Sequence, residues 1–277
     1  MMKISDQIEG IFPTLPRQER KVAMIAVQKP EQVQQMSISE LASQASVSNA
    51  TITRFVKRLG CGNFASFKIS LARGDDEEAE PKTDESDATA NVLDFYGKVL
   101  RKTRQKLNAE ELRQAVDWIK ASHRVYLFGI GSSGYSADEF NQRLMRMGIY
   151  STAMTESQIM AMIGSLTGPD DLVIALSNSG RTLAVNEAVN LVRNQGARVI
   201  SITSYPDSPL TKLSDLSLLV QNTRFIDNSY FINSQFSIMY VIDILTTLLA
   251  QDERFSQKMS RTIDMVEDKR LSSFGGN

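Results

Sequence analysis

The chain has 277 residues, 42% of them hydrophobic, and a formal net charge of −1; that is material for two packed domains and excludes a polycationic chain. Its single cysteine, Cys61, excludes an internal disulfide and fits a reducing compartment. No run reaches the length of a spanning helix, and the opening Met-Met-Lys-Ile-Ser-Asp-Gln lacks the apolar stretch of a signal peptide, so a cytoplasmic protein with no membrane partner is expected.

Charge is unevenly spread. Residues 1–73 carry ten Lys/Arg against five Asp/Glu, whereas 74–87 carry eight acids and one lysine. The expected division is a basic domain over 1–73, an acidic linker over 74–90 and a larger domain over 91–277. Within the basic domain, Val22, Ile25 and Ala26 recur at helical spacing between Arg17 and Gln28, and Pro30 ends that helix. A short helix over Ile38-Ser-Glu-Leu-Ala42 follows, with Ser39 as its expected N-cap. Then come a turn of three or four residues with Val47 pointing inward and a second helix from Asn49 to Leu59, capped by Ser48. All of this describes an all-α helix-turn-helix domain.

The second helix divides its faces. Ile52, Phe55, Val56 and Leu59 form one apolar stripe, and Asn49, Ala50, Thr51, Thr53, Arg54, Lys57 and Arg58 lie elsewhere. Short polar residues first and cations later suit a helix laid in a major groove. Asn49 and Thr51 could meet base edges, Arg54 a guanine or a phosphate, and Lys57 and Arg58 phosphates; Ser48 and Thr53 complete the candidate set. The bland alternative is a solvated helix face; the basic bias, the turn length and the cap together favour nucleic acid. The pattern Ile38-Ser-Glu-Leu-Ala42…Ser48-Asn-Ala-Thr-Ile-Thr-Arg-Phe-Val-Lys-Arg-Leu-Gly60…Phe64…Phe67-Lys68 resembles the N-terminal domain of the RpiR family of bacterial transcription regulators. The resemblance implies a double-stranded DNA operator as partner. Helix-turn-helix readers usually bind two half-sites, so a homo-oligomer, dimer or tetramer, is expected.

In the larger domain, Asn108 with Glu111 reads as a capping pair opening a helix to Ser122. Apolar runs near 124–128, 150–154, 172–176, 199–203 and 216–220 alternate with helical patterns, which predicts an α/β domain with a five-stranded parallel, doubly wound sheet. After the first run comes Gly129-Ile-Gly-Ser-Ser-Gly134, then a helix expected from Tyr135 to Met147. Gly-x-Gly-x-x-Gly alone would suggest a dinucleotide site, but Ser132 and Ser133 suit hydroxyl recognition instead. After the third run comes Ser177-Asn-Ser-Gly-Arg-Thr182, opening a helix from Leu183 to Arg193. Such a turn offers backbone N–H groups, the positive end of a helix dipole and the hydroxyls of Ser177, Ser179 and Thr182 together, a combination that suits a phosphate. No phosphate-loop lysine accompanies it, so a phosphorylated small molecule fits better than a nucleotide. A third loop at Thr203-Ser204 adds Ser204 on the same sheet edge.

The two glycine-bearing turns resemble the signature loops of the sugar isomerase (SIS) domain, over roughly Leu107 to Ala250. That resemblance implies a phosphosugar ligand held by Ser132, Ser133, Ser177, Ser179, Thr182 and Ser204. Glu156 is a further candidate; many relatives in the family follow an acidic residue with histidine two positions later, where this chain has Gln158. Joined to the first resemblance, it implies a transcription regulator of carbohydrate metabolism whose operator affinity is modulated by a phosphorylated sugar.

The alternative is a phosphosugar isomerase with an accessory DNA-binding domain. Aldose–ketose isomerisation needs a base at C1/C2 and usually an acid–base group to open the ring. The only histidine, His123, precedes the first strand at the wrong end of the sheet, and Glu139 and Glu156 read better as structural or hydroxyl-binding groups. No catalytic residue, metal site or cofactor is therefore expected. The apolar helix from Asn233 to Ala250 is either core or a subunit interface, and the methionines at 145, 147, 154, 160 and 162 are expected to fill the core.

Overall fold

The computed structural model describes residues 3–72, 88–226 and 233–274, with side chains to 266 in the last helix. Most of the run expected to act as a linker, 74–87, lies outside the described residues. Two compact units are present, Met1–Lys98 with Thr223–Ile232, and Val99–Asn222 with Asn233–Asn277.

The first unit is helical: α1 (Ile4–Ile11), a 3-10 turn (Phe12–Thr14), α2 (Arg17–Gln28), α3 (Pro30–Gln35), α4 (Ile38–Gln44), α5 (Asn49–Arg58), α6 (Phe64–Ala72) and the start of α7 (Ala88–Lys106). Helix α2 buries Val22, Ala23, Ala26 and Val27 and stops before Pro30, which opens α3 where its missing N–H costs nothing. The N-cap of α4 is Ser37, not Ser39. Ser37 Oγ accepts from Glu40 N at 3.2 Å while Glu40 Oε2 accepts from Ser37 N at 2.6 Å, a reciprocal pair that Ser39, one residue inside the helix, could not form. The turn into α5 passes through Ser46 at φ 51° and closes with Val47 N donating to Ala42 O at 2.9 Å; Val47 is half-buried. Ser48 caps α5 as expected, accepting from Thr51 N at 3.3 Å. Ile52, Phe55, Val56 and Leu59 are all buried, and Phe55 meets Phe67 of α6 edge-on at 5.8 Å.

The second unit is α/β. Its strands are β1 (Arg124–Phe128), β2 (Ser151–Met154), β3 (Asp171–Leu176), β4 (Arg198–Thr203) and β5 (Leu216–Leu219), in one five-stranded parallel sheet ordered β2-β1-β3-β4-β5. Its helices are α8 (Ala109–Ala121), α9 (Ser132–Arg146), α10 (Ser157–Gly164), α11 (Leu183–Asn194), α12 (Pro209–Leu213), α13 (Phe236–Ala250) and α14 (Glu253–Phe274). Every residue of β3 is buried, as a central parallel strand covered on both faces requires. One core joins α8, α9 and α13 to the sheet through Ile119, Phe140 and Ile242; the other joins α10, α11 and α12 through Met160, Val189 and Leu210. Helix α13 is thus core.

Three local expectations change. Asn108 caps α8 alone, accepting from Glu110 N at 2.8 Å rather than pairing with Glu111. Helix α9 begins at Ser132, three residues before Tyr135, because Gly131 (φ 61°, ψ −129°) reverses the chain early enough for both serines to enter the first turn. Met147 and Met160 are buried, but Met145 and Met162 are 58% and 56% exposed and pack no core. No helix among the described residues is long and apolar enough to cross a membrane.

Candidate functional site

The winding of the sheet reverses between β1 and β3: the connection after β1 leads to β2 on one side, and that after β3 leads to β4 on the other. In open parallel sheets this reversal leaves a crevice beyond the strand ends. The two glycine-bearing turns follow β1 and β3, so they flank it.

The first turn works mainly through its backbone. Gly129 is so tightly packed that a Cβ there would lie 2.5 Å from Ser133 O, and Gly131 holds its positive φ. Among the described residues the N–H groups of Ser132 and Ser133, at the start of α9, donate to no backbone acceptor. Ser132 is exposed. Ser133 is not available in the same way: its Oγ is buried and donates to Gln235 Oε1 at 3.2 Å, and Ser136 Oγ reaches the same oxygen at 3.4 Å. Its hydroxyl is turned into the protein. Gln235 lies 102 residues along the chain, and no local signal in the sequence marks it.

The second turn works through hydroxyls. Ser177 Oγ and Thr182 Oγ1 are 3.1 Å apart, Ser179 Oγ accepts from Arg181 N at 3.2 Å, and Gly180 makes the reversal at φ 60°. Thr182 is the N-cap of α11, so Ser177 and Ser179 sit at the positive end of that helix. Asn186, on the first turns of α11, donates to Gly180 O at 3.4 Å and leaves its buried Oδ1 without a partner. Arg181 is exposed.

Ser204 is a support rather than an open donor. It is buried, its N donates to Asn178 O at 3.0 Å and its Oγ donates to Asn178 Oδ1, so both its polar groups tie down the second turn. Asn178 stands inside the hydroxyl-rich motif but carries no expected role; its anchoring function depends on a loop 26 residues away. Glu156 is the N-cap of α10, exposed after β2, and makes no side-chain cap bond. His123 is exposed at the opposite end of β1, its N–H donating to Asp170 O, and Glu139 is paired with Arg143 at 2.9 Å. Among the described residues no group of His, Cys, Asp and Glu is placed to hold a metal.

On α5, Asn49, Ala50, Thr53, Arg54, Lys57 and Arg58 are exposed. Asn49 Nδ2 donates to Ser39 Oγ of α4 at 3.2 Å, and Thr53 Oγ1 donates to Asn49 O at 3.1 Å. Thr51 departs from expectation: it is 4% exposed, its Oγ1 lies 3.0 Å from Ser48 Oγ, and it accepts from Arg54 Nη2 at 3.1 Å. It is part of the cap and holds Arg54. Arg58 also departs. Its Nε donates to Glu19 Oε2 of α2 at 2.9 Å, and that carboxylate is buried, so the pair ties α5 to α2 while the Arg58 side chain stays half exposed. Among the described residues Lys57 has no hydrogen-bond or ion-pair partner.

A family model described as the helix-turn-helix domain, rpiR family, matches residues 2–78, and a SIS domain model matches residues 119–248. An uncharacterized HTH-type transcriptional regulator of Clostridium perfringens is 31% identical over 271 residues, 95% of this chain and 97% of that one. A second such regulator, of Haemophilus influenzae, is 27% identical over 281 residues and is covered to 98%. The structure of the Vibrio vulnificus NanR protein complexed with ManNAc-6P aligns over 96% of this chain and 98% of that one, with a TM-score of 0.60 at 21% identity, a likeness of fold.

Proposed function

The chain belongs to the rpiR family of helix-turn-helix transcriptional regulators, and from that premise we propose that it binds a double-stranded operator through α5 as a homo-oligomer, its affinity set by a phosphorylated sugar held between the turns after β1 and β3. In this reading residues 1–73 read DNA, 74–90 join, and 91–277 sense. The observation that carries the sensing half is the pair of turns flanking the reversal of the sheet. Ser177, Ser179 and Thr182 gather at the start of α11, and the unsatisfied N–H groups of Ser132 and Ser133 gather at the start of α9. The ManNAc-6P held by the NanR protein of similar fold supports a sugar phosphate as the class.

The DNA half rests on Asn49, Thr53, Arg54 and Lys57, exposed together on α5. Self-association is supported by exposed apolar side chains: Tyr135 is 79% and Leu183 70% exposed beside the two turns, and Met145 on α9, Met162 on α10 and Leu166 just after α10 are exposed as well. A cytoplasmic location follows from the same role. No observation favours the isomerase reading, since the sole histidine stands at the opposite end of the sheet and Glu139 is held by Arg143.

The test is a mobility-shift titration on DNA selected by the purified protein, across salt concentrations. Wild type should lose affinity steeply with salt, and Arg54→Ala with Lys57→Ala should weaken binding and flatten the slope by about one unit per lost phosphate contact. Unchanged binding by the double variant refutes the assignment of α5. Sustained turnover of fructose 6-phosphate or a similar ester refutes the sensor in favour of the enzyme.

A further inference from the structure

We propose that Tyr205 is a positioning residue that connects the second ligand turn to the DNA-reading helix, through the hydrogen bond its phenol oxygen accepts from Asn222 Nδ2 at 3.1 Å. The inference rests on the phosphosugar reading above and adds a route by which occupancy is transmitted.

The route is continuous through described residues. Within the α/β unit, Asn178 of the second turn is held on two sides by Ser204, from N to its carbonyl and from Oγ to its amide oxygen. Tyr205 is the next residue and is buried, as is Asn222. A phosphate that draws in the N–H and hydroxyl groups of Ser177 to Thr182 must reorder the turn that Ser204 anchors, and Ser204 cannot shift without moving the backbone of Tyr205. The phenol then acts on Asn222.

The chain passes from one compact unit to the other at the Asn222–Thr223 peptide bond. Thr223–Phe225 is a single 3-10 turn counted with the helical unit. There, Phe225 packs edge-on against Phe12 with ring centroids 5.0 Å apart at 84°, both rings buried, and Arg224 O accepts from Gln28 Nε2 of α2 at 2.8 Å. Helix α2 also carries Glu19, whose buried carboxylate holds Arg58 of α5. The helix that α5 leans on is therefore gripped at its C-terminal end by the turn that begins one residue after Asn222. A rigid helix that holds α5 from its first turn, through Glu19, moves α5 when its other end is displaced. The links are the part-buried Ser204–Asn178 bond, the buried Tyr205–Asn222 bond, the Phe12–Phe225 ring contact, the exposed Gln28–Arg224 bond, the Glu19–Arg58 ion pair and covalent neighbours; packed contacts change between discrete arrangements rather than by gradual deformation.

Hydrogen exchange on the full-length protein tests this, with inorganic phosphate, ManNAc-6P, fructose 6-phosphate, arabinose 5-phosphate and 6-phosphogluconate as probes. In the wild type, one sugar phosphate should slow exchange across 177–185 and change it by about fivefold or more in α1, α2 and α5, as expected for a coupling of ordinary strength. Tyr205→Phe keeps the ring and removes only the phenol oxygen. It should keep the protection at 177–185 to within about twofold while the response in α1, α2 and α5 disappears, and Phe225→Leu should do the same from the other side of the peptide bond. A structural role alone would show as weaker protection at 177–185 in step with the weaker response, which overturns the inference, as does a full response in both variants. No protection at 177–185 in the wild type with any probe refutes the phosphosugar reading itself, a result distinct from either.

Discussion

The turns after β1 and β3 share a plan, strand, then small and hydroxyl-bearing residues, then a helix, yet they spend their residues differently. After β1 the side chains are withdrawn: Ser133 gives its hydroxyl to Gln235, Gly129 and Gly131 exist to fold the backbone tightly, and what remains outward is a pair of N–H groups and Ser132. After β3 the hydroxyls themselves stand together, and Ser204 ties the turn from behind through Asn178. Residue type alone therefore does not say which group is offered to a ligand. What decides is whether another element has already taken the hydroxyl.

If this contrast is right, substitutions in the two turns should separate cleanly. The largest effect on ligand affinity is expected from Ser177→Ala with Ser179→Ala. Each lost hydroxyl to a charged phosphate costs about 1.5–3 kcal/mol, together a loss of roughly a hundredfold or more, read by calorimetry, with operator binding intact. Wild-type phosphosugar affinity in that variant would erase the contrast and move the phosphate elsewhere. Gly129→Ala should act on the fold instead, because its Cβ would meet backbone atoms of Ser133 that cannot swing aside. About 2–3 kcal/mol of stability should be lost, a fall in Tm of roughly 5–10 °C by calorimetric scanning. Ser133→Ala should be the mildest of the three. It strands Gln235 Oε1 with only Ser136 and costs about 1 kcal/mol of stability, while ligand affinity falls less than about threefold in the same titration. A tenfold loss of affinity there would show that Ser133 turns outward when the crevice is filled.

Elements whose signal is local were legible in the sequence. All five strands and α2, α5 and α11 lie within two residues of their expected bounds, because apolar period, Pro30 and Ser48 mark them within a single turn of chain. The turn after β3 was equally legible, since its hydroxyls and its helix start are contiguous. Ser133 and Arg58 have residue types suited to a ligand or to DNA, yet each has a partner that only tertiary packing supplies: Gln235 by α13's approach and Glu19 by α2 lying against α5. Thr51 is engaged locally, by Ser48 and Arg54 three residues to either side. The cap of α4 failed on a smaller scale. Ser37 and Ser39 are both serines before an apolar run, and only the reach of Glu40 back to Ser37 distinguishes them.

The strand order has one more consequence. Helices α9 and α11 lie on opposite faces of the sheet, α9 in the core with α8 and α13, α11 in the core with α10 and α12. A dianion seated between their N-termini would rivet the two layers together across the crevice. Such a rivet strengthens with supply: above half-saturation, each tenfold rise in metabolite adds about 1.4 kcal/mol against unfolding. Proteases that act on opened chains would then degrade the regulator more slowly when sugar phosphate is abundant. The same small molecule would govern how long each copy survives as well as what it does on DNA, so starvation would thin the pool of regulator while it changes its behaviour.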